Sequence, residues 1–174
     1  MRKSRKYRYF TALQVLIFAF LLLTHYTGPA RLAVAGALPL LVLPMLCAFS
    51  MFHDEMVSAF TGLTIGILMD SVAARSVCFN AIMMFLISLA VSLITRLLFN
   101  NNIRAALALG IIGSLFYFLV RWAVFFAFYE TAAGNMTYLT RFALPSAIYT
   151  AAFLVPFYYL QRLLYRKTAE LQQR

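Results

Sequence analysis

Charged side chains are scarce in this sequence. They make up 11% of its 174 residues, against about 25% in an ordinary soluble domain. Apolar residues rise to 64%, where about 45–50% is usual. One buried core cannot absorb that excess, so a soluble globular domain is excluded and a polytopic membrane protein is the default. Cysteine is nearly absent, with only Cys47 and Cys78. Cys47 lies inside an apolar run and Cys78 just after a loop, so no disulfide framework or metal-ligand spacing is available and both read as unpaired thiols. There is no phosphate-binding glycine loop, no zinc spacing, and no nucleophile with its base. These absences argue against an enzyme and against a bound cofactor or metal. The length leaves little room for a second domain.

Basic residues, in contrast, give a formal net charge of +10. They cluster at the ends of apolar runs, as positive-inside loops do, so nucleic acid is not the implied partner. The runs number six: about 8–26, 32–52, 55–74, 77–99, 103–129 and 142–164. Each is near the roughly 20 residues that cross a bilayer. The first resembles a signal peptide, but it is long and lacks a cleavage site before Gly28-Pro29, so it reads as a retained helix. Pro39 and Pro44 interrupt the second run and predict a kink, which membrane helices tolerate. The whole chain reads as a single all-α transmembrane domain.

Six spans put both termini on one side. Eleven Lys and Arg fall on that side and only three, Arg31, Arg75 and Arg141, on the other. That asymmetry places both termini in the cytoplasm. It also assigns the acidic turn His53-Asp54-Glu55 inside, and it separates His25 from His53 across the membrane. The C-terminal tail, with Arg162, Arg166 and Lys167, reads as an interfacial helix end facing anionic headgroups. Asn135-Met136-Thr137 matches a glycosylation triplet and reads as chance.

The third run is the most patterned. Ser58, Gly62, Gly66 and Asp70 are four apart and share one helix face. Three are small, so another helix can approach closely there. The fifth run has its own small stripe, Ala106, Gly110 and Ser114, which continues by seven to Arg121. Asp70 and Arg121 differ in depth by only about 6 Å at 1.5 Å per residue. Intramembrane charges face the bundle interior, paired or hydrated. These observations predict a shared polar cluster of Asp70 and Arg121. The alternatives are a pair that only fixes helix register, or an Arg121 that snorkels outward.

Phe60, Gly62, Leu63, Gly66 and Asp70, followed by Asn80-Ala81-Ile82, resemble the central signature of the MreD family of bacterial rod shape-determining proteins. In that pattern two glycines and an aspartate are spaced by four, and a Gly-x-Asn-Ala-like start opens the next span. Cys78 stands here where the pattern has its glycine. The basic residue and glycine usual before span three are also missing. The resemblance adds Asn80 to the polar cluster. It implies a fold similar to the six-helix substrate-binding component of energy-coupling-factor transporters, in the bacterial inner membrane. It further implies a non-enzymatic subunit of the cell-elongation machinery that regulates wall synthesis. Its partners would be an MreC-like scaffold, a RodA-like glycosyltransferase with its transpeptidase and, indirectly, MreB. The alternative is the membrane component of a vitamin or small-molecule transporter. That family is most alike in the first span, where it has an Ala-x-x-x-Ala pair; in the first span here Ala12 is followed by Leu16 and Ala19 by Leu23, so the pair is missing there.

Overall fold

The computed structural model describes residues 13–24, 40–72, 78–98, 102–125, 140–141 and 144–173. The basic N-terminal arm, His25, Pro39, Arg75 and the glycosylation triplet lie outside the described residues, as do the ends of several runs. The described residues form seven α-helices: α1 Leu13–Thr24, α2 Val42–Ser50, α3 Glu55–Val72, α4 Phe79–Leu98, α5 Ile103–Phe125, α6 Leu144–Ala152 and α7 Leu154–Gln173. Of these, α3, α4 and α5 are long and apolar enough to cross a membrane, and α1 is a shorter apolar helix. Large apolar side chains such as Phe60, Ile67, Ile82, Leu97 and Ile112 point away from the bundle. In water such a surface would be a liability, whereas against lipid it costs nothing.

The centre of the bundle is α2, in which every residue from Val42 to Ser50 is buried. It packs against α3, α4, α5, α6 and α7. A short, uniformly apolar helix has no polar face to turn outward, so the middle of the bundle is the place it fits. Pro44 lies near the start of α2 rather than in its interior. It falls in the first turn, where its missing N–H has no intrahelical acceptor to lose. The entry to α2 is held from elsewhere, because the Leu40 N–H donates to Thr150 Oγ on α6 at 3.0 Å.

A break does occur in the sixth run, which is two helices meeting at Phe153. Pro156 three residues on cannot donate a backbone bond, and Phe153 N–H turns back to the Thr150 carbonyl at 3.2 Å. The second piece, α7, continues to Gln173, beyond the apolar limit at 164. Within the bundle α7 contributes one buried amide. Gln161 accepts from Gln14 Nε2 on α1 at 3.2 Å and directs its own Nε2 to Met45 Sδ at 3.5 Å.

Candidate functional site

The candidate site is the antiparallel hairpin of α3 and α4, the most extensive helix contact among the described elements. Its cause is the small-residue face. Ser58, Gly62 and Gly66 are all buried, and the two glycines lie against α4. A Cβ on Gly62 would come within 2.5 Å of the Met84 carbonyl oxygen. One on Gly66 would meet the Asn80 carbonyl oxygen at 2.5 Å and the Ala81 nitrogen at 2.7 Å. Both obstacles are backbone, which cannot swing aside, so these two positions require glycine for backbone-on-backbone contact. The face that the periodicity singles out therefore receives a neighbouring helix of the same chain.

Each end of the hairpin is fastened by polar groups. At the end near the α2–α3 turn, Arg96 of α4 pairs with Asp54 and, at 2.9 Å, with Glu55. The pairing neutralises the acidic turn. The pair is exposed and contributes little stability, on the order of 0–1 kcal/mol, but it fixes register. Beside it, Ser92 Oγ donates to the His53 carbonyl at 3.0 Å and Ser58 Oγ to the same oxygen at 3.5 Å. The His53 ring stacks on Phe49 at 3.8 Å, with Nδ1 3.0 Å from the Phe49 carbonyl oxygen. Burial lowers the His53 pKa below its ordinary value, and the Phe49 carbonyl and Asp54 oppose that shift.

At the other end the half-buried Asp70 carboxylate closes on the start of α4. Its Oδ1 accepts from the Asn80 N–H at 3.2 Å and from Asn80 Nδ2 at 2.9 Å. Its Oδ2 accepts from the Ala81 N–H at 2.8 Å. These amides are the second and third of the helix, the ones an N-cap side chain normally satisfies. The residue at the cap position is Cys78, whose carbonyl accepts the first helical bond from Ile82 N–H at 3.1 Å. A thiol is a weak acceptor, so the cap is supplied by Asp70 from the preceding helix. The negative charge also faces the positive end of the α4 dipole. Cys78 itself has φ 57°, the left-handed conformation that favours glycine. A cysteine therefore holds this backbone shape at some cost in strain.

The network reaches α5 through Asn80, which is buried. Asn80 gives its amide N–H to Asp70 and its carbonyl oxygen accepts from the Tyr117 hydroxyl at 2.7 Å. Tyr117 is fully buried and lies on the small-residue stripe of α5 with Ala106, Gly110 and Ser114. Within that stripe, Gly110 faces the Leu154 methyls of α7, and Ser114 Oγ donates to its own helix at the Ile111 carbonyl, 3.0 Å away. Arg121 is exposed, one turn beyond Tyr117. The structure thus brings Asp70 and Asn80 together and draws the α5 contribution from Tyr117. Sequence reasoning missed Tyr117, although it lies seven residues beyond Gly110 on the same face, and a buried tyrosine hydroxyl needs a partner. Among the described residues no group of three or more His, Cys, Asp or Glu is placed to hold a metal.

The arrangement is that of a small helical membrane protein whose polar groups hold helix to helix. The chain matches the family model described as rod shape-determining protein MreD over residues 4–168, nearly its whole length. It belongs to that family, and is accordingly a rod shape-determining membrane protein. No curated protein and no solved structure matches it.

Proposed function

We propose that this protein is a non-enzymatic, six-span subunit of the cell-elongation complex in the bacterial inner membrane, with both termini cytoplasmic. It docks an MreC-like scaffold and, with it, the RodA-like glycosyltransferase and its transpeptidase. Family membership along nearly the whole chain carries this reading. A groove of about 330 Å³ between α4 and α5 supports it, lined by apolar residues including Leu86, Ile87, Val91, Leu109 and Phe116. An apolar transmembrane segment of the scaffold is chemically suited to that groove, as helices are to grooves elsewhere. Affinity capture from gently solubilised membranes tests the proposal. Recovery of an MreC-like protein and wall synthases is expected, and Ile112→Trp at the groove mouth should reduce it. Recovery of an ATPase module with a bound vitamin, or capture of the scaffold undiminished by Ile112→Trp, would overturn the respective halves.

A further inference from the structure

The exposed side of α7 carries a row of basic residues together with apolar ones. Tyr159, Arg162, Leu163, Arg166 and Lys167 line a cleft of about 390 Å³. Positions 159, 162, 163 and 166 follow the i, i+3, i+4, i+7 row of one helix face, so an aromatic ring, an aliphatic side chain and guanidinium groups are presented together. All five residues are exposed. Of the five acids in the sequence, Asp54 and Glu55 are engaged by Arg96, and Asp70 caps α4 at the far end of the hairpin. Among the described residues, Arg162, Arg166 and Lys167 form no ion pair. By sequence, residues 162–174 carry four basic groups against Glu170 alone.

The position of the cleft narrows its ligand. Tyr165, on the same helix, lies 5.6 Å from the Phe52 ring and 6.2 Å from His53, in the turn that also holds the Arg96 pair. That turn is where the apolar helices end, so the cleft sits at the edge of the apolar zone with its cations on the polar side. A free phosphate would use the cations and leave Tyr159 and Leu163 without a role. A phosphodiester with acyl chains would use both.

We infer that this cleft binds the headgroup phosphate of an anionic glycerophospholipid, with Arg162, Arg166 and Lys167 on the phosphate and Tyr159 and Leu163 against the first acyl carbons. The test uses the full chain reconstituted in phosphatidylcholine bilayers. Spin-labelled phosphatidylglycerol and spin-labelled phosphatidylcholine are compared for their association with the protein. Phosphatidylglycerol is preferred, and Arg166→Gln lowers that preference about fivefold. Arg166→Lys, which keeps the charge, holds it within about twofold, as does the control Arg104→Gln at the exposed start of α5. Raising ionic strength erodes the preference of the unaltered protein, a readout that needs no variant to fold. Equal association of both lipids, an equal loss from Arg104→Gln, or displacement of phosphatidylglycerol by millimolar inorganic phosphate would each overturn the assignment.

Discussion

Replacing Asp70 tests whether its carboxylate is a structural cap. The side chain accepts three hydrogen bonds, two from backbone amides of α4 and one from the Asn80 amide. A hydrogen bond to a charged group contributes about 1.5–3 kcal/mol net when buried. Asp70 is only half-buried, and water can reach amides released at a helix end, so the lower value applies. Loss of an ordinary N-cap costs about 0.5–2 kcal/mol, which sets a floor for the two backbone bonds. Together these put Asp70→Ala at about 3 kcal/mol of lost stability, a large part of a typical total of about 5–15 kcal/mol. Asp70→Asn keeps the shape and one good acceptor but loses the charge opposite the helix dipole, and should cost about 1–2 kcal/mol. The measurement follows thiol labelling of Cys47, which is 1% exposed on the central helix and becomes reactive only when the bundle opens. In a Cys78→Gly background it is the sole thiol. The denaturant midpoint for labelling should fall in the order unaltered, Asn, Ala. If Asp70→Ala shifted stability by less than about 1 kcal/mol, below the central value for a lost cap, or if Asn were as harmful as Ala, the capping argument would fail. A stable Asp70→Ala protein that no longer supports cell shape would mean the carboxylate serves a partner instead.

Three further outcomes follow from the same geometry. Gly66→Ala drives a methyl into α4 backbone and should cost about 1–3 kcal/mol, whereas Gly113→Ala meets Ile87 Cγ2 at an ordinary 3.4 Å and should be neutral or stabilising; equal effects on the labelling midpoint would refute the close-packing account. Cys78→Gly relieves the positive φ and should raise stability by about 1 kcal/mol, less the greater freedom of glycine when unfolded; a destabilised Cys78→Gly protein would show that the thiol makes a contact worth more than the strain. His53 has its folded pKa lowered by burial, so the unfolded state takes up a proton first as pH falls. The stability tied to neutral His53 is therefore complete above its ordinary value of 6.5 and declines as pH drops below it. His53→Phe should flatten that part of the stability profile, and an unchanged slope would assign it to another group.

Composition and helical spacing alone specify the class of protein and the residues of the close-packing face. Both rest on local properties: the length of apolar runs, and the four-residue spacing of Ser58, Gly62, Gly66 and Asp70, which any α-helix converts into one stripe. The resemblance implies a glycine where Cys78 stands, and the backbone there is the left-handed one. What each face touches is set by how the helices pack together. The small-residue stripe of α3 meets α4, and the buried hub is α2, whose uniform apolarity gave no periodic signal to read. Arg121 and Tyr117 are one turn apart, and only the rotation of α5 within the bundle puts the tyrosine hydroxyl on Asn80. That contact spans 37 positions and the cap on α4 spans ten or eleven. Helix periodicity fixes which residues share a side, whereas the choice of partner across such separations depends on how whole helices pack.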